Sequence, residues 1–214
     1  MNGEEIRNIY CVGRNYQKHA VELGNDVPKS PLIFTKPTHA IHSTEGDLAL
    51  PFDLGSIHYE VELVVQLKKA YQPDLSLEEL ISGFAIGIDF TARDLQSKLK
   101  EKGHPWTKAK GFKGAAVVSS FLPFPGGEGF QKLQFTLYKN GETVQSGSPS
   151  SMIFPLRELV DDIGGGLGLG EGDVIYTGTP EGVGPANVGD VFTFEIFNPE
   201  TNDTHSFGPL RIQE

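Results

Sequence analysis

The chain has 214 residues, a net charge of −10 at pH 7 and a single cysteine. That length buries a core without disulfides or a structural metal, and Cys11 alone cannot form an intrachain bridge, which suits a reducing compartment. An acidic chain with no basic tract is a poor partner for nucleic acid or anionic membrane, and no apolar run is long enough to span a bilayer.

The polar start from Met1 to Arg7 lacks the apolar stretch of a signal peptide. The expectation is one cytoplasmic domain over residues 1–214. With 26 glycines and 14 prolines, many turns and a β-rich fold follow. Asn8 to Val12 reads as a short strand that buries Cys11 as a structural thiol. Gly13-Arg14 turns into a helix over Tyr16–Leu23, with Asn15 as its N-cap and Gly24 as its stop. His19 and Glu22 share a face of that helix at i and i+3. They read either as a surface ion pair or as a histidine oriented by a carboxylate for general base work.

Pro31 to Lys36 is a short strand closed by Pro37, and residues 38–56 are rich in turns. Residues 57–68 alternate as a strand with an apolar face of Tyr59, Val61, Leu63 and Val65. Glu60 and Glu62 then point the same way, about 7 Å apart at their bases. Three readings stay open for them: they face water, they pair with basic residues, or they share a hard cation.

Ser76-Leu77-Glu78-Glu79 has the form of a capping box, so a helix over Leu77–Ile81 follows. Gly83 to Phe90 is an apolar strand that ends in Asp89, and a buried carboxylate needs a partner. Thr91 is the expected cap of a helix that runs through Lys100 and stops at Gly103. Arg93 and Gln96 share its first turns. Taken alone, Arg93 reads as an exposed cation, but a strand end leading into a helix start is a common place for ligands.

His104 to Phe112 reads as a loop carrying Trp106, Lys108 and Lys110. Ala115–Phe121 is a strand, residues 123–129 a Pro/Gly loop, and Leu133–Lys139 with Glu142–Ser146 a hairpin about Asn140-Gly141. A helix over Pro155–Ile163 is ended by Gly164-Gly165-Gly166. This tract reads as loop, since it lacks the Gly-Lys-Ser/Thr of a phosphate loop. Gly172–Tyr176 turns into a strand, Thr177–Pro185 is a glycine-dense loop, and Val191–Phe197 is the last strand expected.

Glu60, Glu62 and Asp89 form an all-oxygen set that suits Mg²⁺, Mn²⁺ or Ca²⁺ better than Zn²⁺. Three carboxylates leave about half of an octahedron for water and substrate. Periodicity alone does not bring Asp89 beside Glu60.

Several stretches, in order along most of the chain, resemble the fumarylacetoacetate hydrolase family, and within it the short acylpyruvate hydrolase members. They are Val12-Gly13-Arg14-Asn15-Tyr16 with His19 and Glu22, Pro31 to Lys36, Tyr59-Glu60-Val61-Glu62, Asp89 to Gln96, Pro105-Trp106 with Lys110, Gly172-Asp173-Val174-Ile175, and Thr177 to Pro185. The resemblance implies a mainly β fold with short helices (α+β), a mixed β-sandwich roll around one Mg²⁺ or Mn²⁺ per chain. It implies Glu60, Glu62 and Asp89 as metal ligands, and a catalytic dyad of His19 and Glu22 on a helical lid over about residues 15–30. Lys110 is expected to meet the substrate, with Arg14, Arg93, Gln96 and Thr179 as further substrate contacts. A homodimer is implied as well. One departure stands out: many members carry Lys-Ser-Phe-Asp where this chain has Lys110-Gly111-Phe112-Lys113.

The substrate implied is a small anionic keto acid. The first expectation is metal-dependent cleavage of a C–C bond in acylpyruvates such as acetylpyruvate or fumarylpyruvate. There a water activated by His19 attacks the distal carbonyl and a pyruvate enolate leaves. The same enolate chemistry supports oxaloacetate decarboxylation or tautomerisation, or isomerisation of hydroxymuconate-like acids. A reading of another class is a non-catalytic β module that holds Ca²⁺ for structure.

Overall fold

In the computed structural model, residues 6–17 and 28–214 are described. The expected lid falls largely on residues 18–27. His19 and Glu22 therefore lie outside the described residues, as does most of the helix that was to follow Asn15.

In chain order the strands are β1 (Ile9–Gly13), β2 (Leu32–Lys36), β3 (Ile41–Ser43), β4 (Gly46–Ala49), β5 (Ile57–Tyr59), β6 (Val61–Leu67), β7 (Ile81–Asp89) and β8 (Thr91–Ala92). They continue as β9 (Ala116–Val118), β10 (Leu122–Pro123), β11 (Gln134–Lys139), β12 (Glu142–Gly147), β13 (Val174–Tyr176), β14 (Gly184–Pro185), β15 (Val191–Asn198) and β16 (Asp203–Gln213). The largest sheet has the order β2-β1-β13-β6-β7-β9-β3, with β10 paired to β7. A second runs β12-β11-β15-β16-β4, and a small third joins β14-β5-β8. The architecture is mainly β with short helices, as the resemblance implies. The large sheet is mixed: β1–β13 and β3–β9 are parallel, while β6 pairs antiparallel with both β7 and β13.

The centre of that sheet corrects the half-exposed strand expected at 57–68. The strand breaks at Glu60, and all seven residues of β6 are buried on both faces. Gln66 is carried inside with the valines, so the alternation was not the signature of a wet face. Phe192 of β15 packs its ring edge-on against both Tyr59 and Phe90, with centroids 5.4 and 6.2 Å apart. These contacts seat the second sheet against the chain flanking Glu60 and Asp89.

The capping box forms as expected: Glu79 N–H donates to the Ser76 hydroxyl, and Ser76 N–H to the Glu79 carboxylate. The hairpin also forms, with Asn140 at φ 56° and Gly141 at φ 84°. Cys11 is buried, and burial pushes its thiol pKa up, which favours the structural reading.

Other expectations are corrected. Thr91 is not a helix cap. It belongs to β8, and its hydroxyl donates to the Asp89 carbonyl, while the helix Arg93–Glu101 starts after Ala92 without a side-chain cap. Short helices Thr107–Lys110 and Gly126–Lys132 replace two expected loops. The helix Leu156–Gly166 continues through its glycines, because Leu156, Leu159, Val160 and Ile163 bury one face and packing outweighs glycine's low propensity. A strand follows the one read as last. β16 was hidden because Thr204, His205 and Ser206 at its start are exposed and polar. No helix among the described residues is long and apolar enough to cross a membrane.

Candidate metal centre

The antiparallel register of β6 on β7 makes the site. Val61 lies opposite Ile88 and Glu62 opposite Gly87, and the Asp89 N–H donates to the Glu60 carbonyl over 2.9 Å. Glu60 and Asp89 therefore face each other at the open end of the pair, with Glu62 one step inside. Oxygens from Glu60, Glu62 and Asp89 come within 4.8 Å of one another, and all three residues are buried. Three anions so close and so dry require compensation.

Three cations supply it. Lys110, at the end of its short helix, donates to Glu60 Oε2 over 2.8 Å and to Asp89 Oδ2 over 2.6 Å. Burial disfavours its charge, yet Asp89 and Glu60 outweigh that and hold its pKa above the ordinary lysine value. Arg93 forms a short contact with Glu60 Oε1 and donates to Gln96 Oε1 over 2.8 Å. So Arg93 is not the exposed cation that its sequence position alone suggested.

The third cation, Lys36 at the end of β2, was not singled out from sequence. Its ammonium donates to the carbonyls of Phe90 and Ala115 over 3.2 and 2.8 Å, and makes a short contact with that of Lys110. An ammonium has three protons, so these carbonyls use them all. Asp89 Oδ1 lies 2.6 Å from Lys36 Nζ, yet this buried oxygen accepts no hydrogen bond. The only sequence signal for Lys36 was a lysine closing an apolar strand just before Pro37.

Glu62 is held differently. Desolvation first, then Asp89 and Glu60, push its pKa well up, while the Gly178 N–H donates to Oε2 over 2.7 Å and works against that rise. Gly178 has φ 103°, and a Cβ there would fall 2.6 Å from Asn15 Cβ. Asn15 is itself fully buried. Its amide donates to the carbonyls of Phe154 and Thr177 over 3.1 and 2.8 Å and accepts from Phe154 N–H over 2.8 Å. The loop that reaches Glu62 is thereby pinned from both sides.

Thr179 follows directly on that loop. Gln145 of β12 donates to its hydroxyl over 2.9 Å and to the Pro180 carbonyl over 3.0 Å, while accepting from Val61 N–H over 2.9 Å. Gln145 is buried and ties the second sheet to β6 beside Glu60. Nothing in its local pattern distinguished it from an ordinary strand glutamine.

A cleft of about 40 Å³, partly open to solvent, reaches Glu60, well below the usual range for ligand sites. Arg14, Arg93, Gln96, Lys100 and Lys110 line its polar side, and Leu32, Phe34 and Trp106 its apolar wall. The structure thus brings Arg14, Arg93, Gln96 and Lys110 to one cleft with Glu60, while Glu62, Asp89 and Thr179 do not line it. At the departure from the family pattern, a Cβ on Gly111 would meet Pro37 Cδ at 2.7 Å, so a serine there requires Pro37 to move. Lys113 is exposed.

The profile of the fumarylacetoacetate (FAA) hydrolase C-terminal family matches residues 8–213. The chain belongs to the fumarylacetoacetate hydrolase family. It is 45% identical over 190 residues to the mitochondrial oxaloacetate tautomerase of Arabidopsis thaliana, covering 88% of this chain and 85% of that one. It is 37% identical to the mitochondrial oxaloacetate decarboxylase of Dictyostelium discoideum, covering 93% of each. The crystal structure of fumarylpyruvate hydrolase from Pseudomonas aeruginosa, in complex with Mn²⁺ and pyruvate, matches with a TM-score of 0.87 at 32% identity. That match covers 100% of this chain and 94% of the other. The protein is an enzyme of this family.

The donor set fits a divalent cation of the hard kind. It is all oxygen, it is buried, and its Asp89 Oδ1, in ionic contact with Lys36, accepts no hydrogen bond.

Proposed function

We propose that this family member is a Mg²⁺- or Mn²⁺-dependent enzyme of 2-keto acids that carry a second carbonyl at C4, with oxaloacetate tautomerisation and decarboxylation as its leading activity. The observation that carries the reading is the buried cluster of Glu60, Glu62 and Asp89 with Lys110 shared between two of them, beside a cleft that reaches Glu60 and is lined by cations. The expectation from sequence put acylpyruvate hydrolysis first. The relatives named for oxaloacetate chemistry, at 37% and 45% identity, move the weight to that branch of the same chemistry.

Glu60, Glu62 and Asp89 would hold the cation. When bound, it would supply Lewis-acid polarisation of the 2-keto group, which makes the C3 protons more acidic. Lys110 presents its ammonium beside Glu60 and Asp89 at the edge of that site. Its role is therefore to stabilise negative charge as it develops on the keto oxygen, not to accept a proton. Arg93 and Gln96 lie together at the start of one helix and present donors to a carboxylate. The Thr179 oxygen accepts from Gln145, which leaves its own proton free to donate to a substrate oxygen.

In tautomerisation one C3 proton leaves and one proton is added at the keto oxygen, so atoms balance without a co-reactant. In decarboxylation the C3–C4 bond breaks, carbon dioxide leaves, and its electron pair passes into the pyruvate enolate, which takes one proton. His19 oriented by Glu22 is, in the second reading, the proposed base that activates water. That second reading, hydrolysis of an acylpyruvate, is favoured by the likeness to a fumarylpyruvate hydrolase whose structure holds pyruvate.

The test is a side-by-side assay of oxaloacetate, acetylpyruvate and fumarylpyruvate with Mg²⁺ or Mn²⁺, repeated after chelation. The proposal expects oxaloacetate to turn over and chelation to abolish it. Turnover of the acylpyruvates alone would move the assignment to hydrolysis. No turnover of any of the three would overturn the reading in favour of a structural Ca²⁺ module.

A further inference from the structure

The helix Arg93–Glu101 presents three side chains to the cleft, at i, i+3 and i+7: Arg93, Gln96 and Lys100. The first two are engaged with each other and with Glu60. Lys100 is different. It is exposed at the cleft mouth and has no anionic partner among the described residues.

Arg14 lines the same cleft and likewise has no anionic partner among the described residues. Its backbone sits at φ 58°, a left-handed conformation that is uncommon outside glycine and clusters at ligand sites. Burial, then the charges of Arg14 and Arg93, push the Lys100 pKa down, so these cations repel one another across the opening. In a chain of net charge −10, cations gathered at one opening without an anionic partner among the described residues form a local field that attracts an anion.

Charge at the inner end is already balanced. Glu60, Glu62 and Asp89 stand against Lys36, Lys110 and Arg93, three negative and three positive. A divalent cation with one substrate carboxylate would use the inner end. Arg14 and Lys100 remain for a second negative group farther out.

We propose that Lys100, with Arg14, forms a second anion subsite at the cleft mouth that binds the distal carboxylate of a dianionic substrate. This rests on the keto-acid reading above and assigns Lys100 as the residue that separates dicarboxylic from monocarboxylic keto acids.

The test compares wild type, Lys100→Met and Lys100→Arg with oxaloacetate, a dianion, and acetylpyruvate, a monoanion. In Lys100→Met the ratio of kcat/KM for oxaloacetate to that for acetylpyruvate should fall roughly tenfold to a hundredfold, the size of one charge-assisted hydrogen bond. Lys100→Arg should keep the ratio within a few-fold, as the charge is retained. Equal losses on both substrates would overturn the assignment.

Calorimetric titration of the Mn²⁺-loaded protein with 2-oxoglutarate and with pyruvate gives a readout independent of turnover. Lys100→Met should weaken 2-oxoglutarate selectively. Equal weakening, no weakening, or no preference of the wild type for the dicarboxylate would each overturn the subsite. Failure of every keto acid to turn over, with that selectivity kept, would sink the catalytic reading and leave the subsite standing.

Discussion

The Lys110 ammonium lies 2.6 Å from Asp89 Oδ2, and both groups are almost completely withdrawn from water. Asp89 ends an apolar strand and Lys110 ends a four-residue helix 21 positions later. With Glu60 Oε2 2.8 Å from the same nitrogen, one ammonium neutralises the edge of a buried acidic cluster. Removing it takes a shared cation from two buried carboxylates, leaving Glu60 with Arg93 and Asp89 with Lys36. Lys110→Met should destabilise the cation-free protein by about 3–5 kcal/mol, read by urea denaturation in EDTA. Added Mn²⁺ should then recover more stability in the variant than in wild type. Equal gains in the two proteins would count against a shared role for lysine and cation.

Lys36 is the more hidden cation. Its three protons go to backbone carbonyls, and its charge lies against Asp89 Oδ1. Lys36→Met takes the ammonium from the Phe90 and Lys110 carbonyls and leaves Asp89 with Lys110 as its one cation among the described residues. The expected loss is again about 3–5 kcal/mol, measured by the same denaturation. A loss under about 1 kcal/mol, the scale of an exposed pair, would contradict the account of Lys36.

Gly178 sets the position of the N–H that binds Glu62. Gly178→Ala requires a left-handed backbone at an L residue and brings its Cβ into Asn15. We expect Mn²⁺ affinity to fall about tenfold or more, on the scale of losses from outer-shell partners of a metal site, together with a lower melting temperature. Unchanged Mn²⁺ affinity would show that the Gly178 contact does not orient Glu62.

His19 is the proposed water-activating base of the hydrolytic branch. His19→Ala should therefore lower acylpyruvate hydrolysis by about 10²–10⁴-fold, the usual contribution of a general base, and oxaloacetate decarboxylation far less. Parallel losses in both assays would remove the water-activating role.

Several of these residues were legible in the sequence for chemical reasons. A carboxylate at the end of an apolar strand, as at Asp89, needs a partner, and two glutamates at i and i+2 share a face. Their meeting was not legible, because it depends on the register of β6 against β7, and register is a tertiary quantity. Burial on both faces of β6 was missed because Glu60, Glu62 and Gln66 imitate a solvated face. Lys36 and Gln145 act through backbone groups brought from distant strands, which leaves no local mark. The glycine-rich end of the helix Leu156–Gly166 was misread for a related reason: its stability comes from the face it buries rather than from its own propensity.

The central claim is that Glu60, Glu62 and Asp89 bind a divalent cation. A Mn²⁺ titration followed by electron paramagnetic resonance, on wild type and on Glu62→Gln, tests it most directly. The substitution keeps the shape and an acceptor for the Gly178 N–H while removing one charge. The account predicts one tight Mn²⁺ per chain in wild type and an affinity lower by roughly a hundredfold in Glu62→Gln, the scale set by losing one buried charged ligand contact. Equal Mn²⁺ binding by the two proteins would contradict it.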